Sequence, residues 1–414
     1  MSVASIEGTL PTPLEHNGPV KGRAVITLVI AGLLAGACRG GSAGSSPTTK
    51  GGAAIVVGMI NQEDSPDGSF PEVRQAAQAA VAHVNTDLGG VDGRPLRLEV
   101  CTTTGTPESS AACANQLVAK HPVAVLGGVD LGAATSLPVF QKAAIPYIGG
   151  MPSLGDELTS PAAWMLAGGE VADLLGQAEY ALGTLKVKKV GALYVDLPGL
   201  LATVIQAAQV VLKAKGATDV KTVAASADAP DFAPSVKAAA VGNPDAIVVL
   251  FPAQACTRIM AAAKALGVKA KMFYPSACAS QAVVDAAGAA AENSYFATGY
   301  LPFDDPSPDV ATWKAKAGVT KPSVLSQAGF SVAMDLYDLL KGGATTPAAL
   351  STALAASVDR PGFMAHTYTC DRKQVSLLSA VCNSSVRLLQ YKGGAFHDLT
   401  GDWVNGAELV KLFG

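Results

Sequence analysis

The fold is decided by residues 54–101, which read AIVVGMINQEDSPDGSFPEVRQAAQAAVAHVNTDLGGVDGRPLRLEVC. The opening run AIVVGMI is almost wholly apolar, which is typical of a strand buried on both faces of a parallel sheet. Apolar residues then recur at helical spacing from Val73 to Val84, and a second strand pattern covers Leu96–Cys101. The order of these patterns predicts one β-α-β unit.

The same alternation continues along the chain. Further strand patterns lie at 123–126, 146–148, 190–195, 246–251 and 271–274, and helix patterns at 109–120, 133–143, 171–185, 200–215 and 253–266. Repeated β-α units imply parallel sheets covered by helices on both faces. Because about nine strands would be many for one sheet, we predict an α/β protein with two doubly wound, Rossmann-like lobes.

Composition bounds the possible functions. The chain has 414 residues, of which 49% are hydrophobic and 15% are charged, so it is long enough for two domains with sizeable cores. The net charge is -3, whereas nucleic-acid binding is associated with a basic excess. We therefore expect no nucleic-acid partner.

The N-terminus has the pattern of an export signal. Lys21 and Arg23 precede an apolar run at 24–37, which ends in small residues directly before Cys38. The run is shorter than the roughly 20 residues that a membrane-spanning helix needs. A cysteine at this place predicts a lipoprotein signal, although Ala35 stands where leucine is usual. The alternative is a plain secretory signal with an incidental cysteine.

The lipoprotein interpretation also predicts where the protein resides. Residues 1–38 would be the signal peptide ending at the lipidation site Cys38, and residues 39–52 are rich in Gly, Ser and Thr, as in a flexible tether. We therefore expect a protein anchored by lipid to the extracytoplasmic face of the cell membrane.

The other six cysteines form three close pairs along the chain. An even number of cysteines in an exported protein indicates disulfides, although six cysteines allow 15 pairings. Proximity favours the pairs Cys101 with Cys113, Cys256 with Cys278, and Cys370 with Cys382. Zinc is the competing interpretation, but C-x-x-C is absent and the five histidines are scattered. We expect no metal and no cofactor.

Several segments carry a resemblance to a known family. They include RPLRLEV after the turn GGVDG, IPYI after a helix pattern, and YVDLPG at the end of a strand pattern. From Ala53 onward the chain resembles the type 1 periplasmic binding proteins of the branched-chain amino-acid type, which serve ABC importers. The closing segment HTYTCDRKQVSLLSAVCNSSVRLLQY is similar to actinobacterial members of that group.

The resemblance implies the domain organisation. Two lobes would be joined by three crossing strands, and the ligand would bind in the cleft between the lobes. Lobe 1 would comprise 53–167 and 299–345, lobe 2 would comprise 168–298 and 346–414, and the crossings would lie near Leu166–Gly169, Phe296–Gly299 and Tyr391.

The candidate ligand contacts lie after the carboxyl ends of the strands, where doubly wound sheets bind ligands. Lobe 1 contributes Phe70, Asp130, Leu131, Met151 and Ser153, and lobe 2 contributes Asp196, Phe251, Gln254 and Ser276. In the family, the loops after the third and fourth strands bind the carboxylate and the amine of the ligand, and Ser153 approximately matches a hydroxyl position there.

Two departures from the family pattern bear on the ligand. The usual Ser/Thr-rich loop is replaced by Val129-Asp130-Leu131, and no acidic residue stands in the Ser276 loop to receive an ammonium group. We therefore expect a more apolar cleft, in which Asp130 or Asp196 pairs with any cationic group. Structural roles compete with each assignment. Asp196 would instead cap a helix, Ser153 would satisfy a turn, and Phe70, Phe251 and Met151 would pack in the core.

Together these observations predict a monomeric lipoprotein that captures a small molecule for an ABC permease in the membrane. The ligand would be an amino acid or a related, more apolar compound. A sensory lipoprotein of the same fold, which reports to a partner protein, is the alternative. An exported enzyme is the remote one, since the P-loop and H-E-x-x-H patterns are absent and no catalytic residue stands out.

Overall fold

The computed structural model describes residues 52–65, 68–152, 155–196, 209–210 and 212–409. The predictions for the signal peptide, Cys38 and Ser153 fall outside the described residues. Within the described ranges, no helix combines the length and the apolar character needed to cross a membrane.

The first sheet has five strands, all parallel, in the order β2-β1-β3-β4-β5. The strands are β1 (Ile55–Gln62), β2 (Leu96–Thr103), β3 (Val125–Gly127), β4 (Tyr147–Gly149) and β5 (Ala163–Met165). The helices along this part of the chain are α1 (Pro71–Thr86), α2 (Pro107–Val118), α3 (Ala133–Lys142) and α4 (Gly155–Thr159). These bounds confirm the predicted β-α alternation to within a few residues.

The second sheet is larger and mixed, in the order β14-β13-β10-β9-β8-β6-β7, with β15 paired to β13. Its strands are β6 (Lys189–Val195), β7 (Asp219–Ala225), β8 (Ala246–Leu250), β9 (Lys271–Tyr274), β10 (Tyr295–Thr298), β13 (Ser385–Lys392), β14 (Ala395–Asp398) and β15 (Val404–Asn405). The sequence analysis missed β7, an edge strand whose side chains are mostly half-buried, so its residues lack the continuous apolar run of the central strands.

The remaining helices are α5 (Gly169–Glu179), which continues as a π-helix over Tyr180–Thr184, α6 (Ala233–Ala239), α7 (Ala253–Ala265), α8 (Gln281–Ala287), α9 (Pro308–Lys316), α10 (Val324–Lys341) and α11 (Pro347–Ala355), and β11 (Arg360–Gly362) pairs with β12 (Ala365–Tyr368). Helix α10 packs along α1 of the first sheet, whereas α5 packs against β10 and β13 of the second. We therefore call the first sheet with α10 and its neighbours lobe 1, and the second sheet with α5 to α8 lobe 2.

The two lobes repeat one topology. The parallel strands of lobe 2 run β7-β6-β8-β9-β10, so each lobe has the order 2-1-3-4-5 counted from its own first strand. In this order the chain reverses direction across the sheet beside the first strand, and ligands bind beyond the carboxyl ends of the strands at that point. This places the loops after β1 and β3 in lobe 1, and those after β6 and β8 in lobe 2, at the switch points.

Residues 372–382 contact β5 of lobe 1 and lead directly into β13 of lobe 2. The main chain of Met165 exchanges hydrogen bonds with Ala380 and Cys382 in lobe 1, and β13 of lobe 2 begins at Ser385. Arg372 also lies over the ring of Trp164 at 3.6 Å. These contacts hold the segment before β13 on lobe 1, while Tyr391 lies within β13, and the predicted crossing near Tyr391 stays a prediction.

All three predicted cysteine pairs form disulfides. Their Cα atoms are 5.5 Å apart for Cys101 and Cys113, 6.2 Å for Cys256 and Cys278, and 4.4 Å for Cys370 and Cys382. In the chain-entropy model, each of these short closed loops stabilises the fold by about 3 kcal/mol.

Candidate functional site

Two buried amide side chains at the end of β1 hold the loops that follow β1 and β3 in lobe 1. Asn61 Nδ2 donates to Phe70 O at 2.9 Å, and Asn61 Oδ1 accepts from Val129 N at 3.2 Å. Gln62 Nε2 donates to Gly68 O at 2.9 Å, and Gln62 Oε1 accepts from Leu131 N at 3.2 Å. We call the described loop residues 63–65, 68–70, 128–131 and 150–152 the lobe 1 rim. Because buried amides cannot exchange these bonds for water, the first two loops of this rim are held in place.

Asp130 is fully buried in the lobe 1 rim. Its carboxylate accepts from Ser110 Oγ at 2.5 Å, from Ser136 Oγ at 2.9 Å and from Gly132 N at 3.1 Å. Burial raises the pKa of Asp130, and these hydrogen bonds oppose the rise. The carboxylate therefore ties β3's loop to α2 and α3. Leu131 is half-buried against the core of the same lobe.

Phe70 and Met151 are both buried, each with 6% of its surface exposed. Phe70 stands directly before α1, and its ring covers Gly68, where any Cβ would collide with it. Met151 follows β4, between Gly150, whose carbonyl accepts from Tyr300 Oη at 2.6 Å, and Pro152. Both residues belong to a hydrophobic cluster that continues into lobe 2.

In lobe 2, Phe251 and Asp196 lie at the ends of β8 and β6. Phe251 is buried and packs edge-to-face on Phe232, with ring centroids 5.3 Å apart. Asp196 is exposed, and its main-chain N–H donates to Ala225 O. The ring of Phe251 thus forms part of the lobe 2 core, whereas Asp196 stands at the surface of the switch point.

The structure brings an acidic residue of α5, Asp173, to the Ser276 loop. Asp173 Oδ2 accepts from Ser276 N at 3.1 Å, and both residues are buried. Glu170 lies one turn earlier on the same face of α5 and is only partly exposed. The expectation that no acidic residue lies near Ser276 is therefore wrong, because the carboxyl group of Asp173 comes from a helix a hundred residues earlier in the chain.

Burial controls the ionisation of this acidic pair. Burial raises the pKa of Asp173 to about 6, opposed by its hydrogen bonds to Ser276. Burial, and then the charge of Asp173, raises the pKa of Glu170 to about 7. A carboxylate in the first turn of a helix is normally stabilised by about 0.3–1 kcal/mol by the helix dipole. Here desolvation outweighs that effect, so both carboxyl groups hold their protons to a higher pH than exposed carboxyl groups do.

Glycine at 169 makes this arrangement possible. Gly169 has a φ of +55°, and a Cβ there would collide with Pro152 O of the lobe 1 rim. The N–H of Glu170 donates to the same carbonyl at 3.2 Å. The start of α5 thereby contacts lobe 1, and the acidic residues Glu170 and Asp173 lie in the first two turns of this helix.

The two lobes also touch at two further places. Gln254 Nε2, in the first turn of α7, donates to Ser69 O of the lobe 1 rim at 3.1 Å. Nearer the crossings, Gln281 N donates to Pro322 O at 2.8 Å and Val324 N donates to Ala279 O at 3.0 Å. We call residues 251–256 and 275–281 the lobe 2 rim, since both interlobe contacts come from them.

Sequence reasoning missed four residues of this region. Asn61 and Gln62 stand as a polar pair at the end of an apolar strand, a signal that could have singled them out. Glu170 and Asp173 gave no comparable signal, because only the packing of α5 brings them to the rim. Of the predicted contacts, Phe70, Met151, Gln254 and Ser276 lie where the lobes meet.

Comparison with known proteins gives the family. A family model described as periplasmic binding protein matches residues 54–394. No curated protein matches the chain.

Solved structures agree with that family. The leucine-binding protein LivK of Thermotoga maritima is 17% identical, with a TM-score of 0.70 over 85% of this chain and 99% of that one. LivJ of Streptococcus pneumoniae, solved with isoleucine, is 20% identical, with a TM-score of 0.68 over 85% and 99%. A fatty acid ABC transporter substrate-binding protein of Thermomonospora curvata is 15% identical, with a TM-score of 0.73 over 86% and 94%. These likenesses establish the fold, and with the matched model they show that the chain belongs to the periplasmic binding protein family, as a solute-binding protein.

Proposed function

We propose that the protein captures a small solute between the lobe 1 rim and the lobe 2 rim and delivers it to an ABC permease. The observation that carries this proposal is the hydrogen bond from Gln254 to Ser69 O, which joins the loop after β8 to the loop after β1. Both loops lie at the switch points of their sheets, where ligands of doubly wound folds bind.

The acidic pair favours a solute with an ammonium group. Glu170 and Asp173 have raised pKa values because burial disfavours their charged forms, and a cation between the lobes would relieve that cost. Phe70 and Met151 would contact an apolar portion, while Ser153, Gln254, Ser276 and Asp196 would supply polar contacts. Asp130, Leu131 and Phe251 would support the rims from within their own lobes.

An apolar amino acid meets these requirements. The LivJ neighbour was solved with isoleucine, whereas the Thermomonospora curvata neighbour is named for fatty acids, which have no ammonium group. The acidic pair separates these two chemistries. It supports the amino-acid class for this chain.

A matched pair of ligands tests this choice. Leucine and 4-methylpentanoate differ only in the ammonium group. Leucine should therefore raise the midpoint temperature of thermal unfolding, and 4-methylpentanoate should raise it much less. A ligand at 100 times its Kd adds about 2.7 kcal/mol to the free energy of unfolding. Equal shifts with both compounds would refute the ammonium assignment. A shift with neither would direct the search to mass spectrometry of the solute that co-purifies with the protein.

The variant Glu170→Gln sharpens the same experiment. It keeps the size and hydrogen-bonding capacity of the side chain but removes its charge. The variant should therefore bind leucine more weakly than the wild type does, and its binding of 4-methylpentanoate should be unchanged. Glu292→Gln, on an exposed side chain that accepts from Gly393 N, is the matched control and should change neither.

We further propose that Cys38 anchors a monomeric protein to the extracytoplasmic face of the membrane. The basic flank, the short apolar run and the tether at 39–52 support this arrangement. Cys38→Ser should move the protein from the membrane fraction to the soluble fraction of cells, while light scattering of the released chain should give a monomer mass. Retention of the Cys38→Ser variant in membranes would contradict the lipid anchor.

A further inference from the structure

The Cys256–Cys278 disulfide joins the two parts of the lobe 2 rim that contact lobe 1. Cys256 lies in the first turn of α7, two residues after Gln254, which contacts Ser69. Cys278 directly precedes Ala279, whose carbonyl accepts from Val324 N. One covalent bond therefore links both interlobe contacts of this rim.

The contact beside Cys278 is buried where Ala279 meets Val324 and partly exposed where Gln281 meets Pro322. Ala279 and Cys278 are fully buried, and Val324 is 1% exposed. Ser280 and Ser323 form an isolated antiparallel bridge between the two bonds of this contact. Because backbone groups buried in this way cannot turn to water, the contact depends on Ala279 and Ser280 keeping their positions.

Two amides report directly on this contact. Val324 and Gln281 are the first residues of α10 and α8, where a helix offers its own N–H groups no acceptor. Each finds its acceptor on the other lobe, at Ala279 O and Pro322 O. Protection of these two amides from exchange with solvent therefore measures the interlobe contact itself.

The other two disulfides lie within lobe 1. Cys101–Cys113 joins β2 to α2, and Cys370–Cys382 closes a segment whose last residue bonds to Met165 of β5. Cys382 lies directly before the chain enters β13 of lobe 2, whereas Cys101–Cys113 joins only β2 and α2 of lobe 1. The first of them serves as a matched control, since it closes a loop of comparable length.

We propose that Cys256–Cys278 is a positioning disulfide, which holds the lobe 2 rim in the arrangement that meets lobe 1. Without it, the turn at 276–278 and the start of α7 move independently, and the contacts at Ala279 and Gln254 weaken. The consequence for solute capture rests on the proposed function, whereas the interlobe contact can be measured without any ligand.

The test compares two double variants of the ligand-free full chain, Cys256→Ser with Cys278→Ser and, as control, Cys101→Ser with Cys113→Ser. Hydrogen exchange is measured at single amides under native conditions. In the first variant, the backbone amides of Val324 and Gln281 should exchange at least about tenfold faster than in the wild type, since exchange reports local opening. The control should confine its faster exchange to β2 and α2. Unchanged rates at Val324 and Gln281 in the first variant would overturn the proposal.

A second variant separates the covalent bond from the packing of the sulfur atoms. Cys256→Ala with Cys278→Val refills the apolar volume without a cross-link, and it offers a folded protein if the serine pair does not fold. Faster exchange at Val324 and Gln281 in this variant supports positioning by the disulfide. Wild-type rates would show that packing alone holds the rim and would overturn the proposal. Because no ligand is added, failure to find a solute would leave this result unaffected.

Discussion

The two rims that face each other are stabilised by different chemistry. The lobe 1 rim is tied down by uncharged amide side chains, Asn61 and Gln62, which reach from the end of one strand to two loops. The lobe 2 rim is held by the Cys256–Cys278 disulfide and by a buried carboxylate, Asp173, bonded to Ser276. Each rim also contacts one buried carboxylate, Asp130 or Asp173, so the amides and the disulfide are what distinguish the two rims.

This difference predicts different sensitivities. The hydrogen bonds from Asn61 and Gln62 to the main chain involve no ionisable group, so the loops that they hold should depend on side-chain identity and little on pH. The lobe 2 rim is bonded to a titratable group of α5, Asp173, so its stability should change with pH. Substitutions that affect one rim only are therefore the way to test the comparison.

The largest effect is expected in the lobe 1 rim from Asn61→Ala. This change removes bonds to Glu63, Phe70 and Val129 and leaves buried partners without acceptors or donors. It should lower the free energy of unfolding by about 3 kcal/mol in urea titrations, equally at pH 5 and pH 8.

The control for Asn61→Ala is Asn115→Ala, an exposed asparagine whose side chain bonds only to Ala111 O of its own helix. It should cost under about 0.5 kcal/mol. If Asn61→Ala cost no more than this control, the amide network would not be what stabilises the lobe 1 rim.

The contrast also explains how much the sequence alone could predict. The β-α alternation follows from local patterns, such as the apolar run Ile55–Ile60 and the helical spacing from Val73 to Val84, so the two-lobed fold could be predicted. The disulfides followed from proximity along the chain, since each pair is separated by 12 or 22 residues.

The acidic part of the site could not be predicted in this way. Asp173 meets Ser276 across 103 positions of sequence, and no local pattern carries that information. Asp130 follows a predicted strand, but only the structure shows that Ser110 and Ser136 occupy its carboxylate. Chemistry that depends on packing between distant elements is what the sequence analysis left out.

An intermediate effect of pH on stability is expected at Glu170, in the first turn of α5. The pKa of Glu170 is raised to about 7, so the folded state holds this proton more tightly than the unfolded chain does. Its contribution to stability therefore falls as pH rises from about 4 to about 7, and it stays low above that range. Because Glu170 is partly exposed, we expect a loss of roughly 1–2 kcal/mol.

Glu170→Gln isolates this contribution in urea titrations across the same pH range. The variant should match the wild type near pH 4 and exceed its free energy of unfolding at pH 8. Asp335→Asn is the control. Burial raises the pKa of Asp335 to about 8, and this residue accepts a hydrogen bond from Phe363 N in lobe 1. Asp335→Asn should therefore change the free energy of unfolding over a pH range that extends to about 8. A Glu170→Gln profile parallel to that of the wild type would contradict the pH sensitivity expected at Glu170.

The smallest effect is expected where the two rims meet. Gln254→Ala removes one partly solvated hydrogen bond, to Ser69 O, and should change the free energy of unfolding by less than about 0.5 kcal/mol. Since the bond forms only when the rims are together, its loss should instead weaken binding of the co-purifying solute by about threefold in calorimetric titrations. Gln281→Ala removes a glutamine of the same rim whose side chain bonds only to Asp285, within α8, and should leave binding unchanged. Equal binding by the two variants would mean that the rims do not close through Gln254, and would leave the contact at Val324 as the one that joins the lobes around the solute.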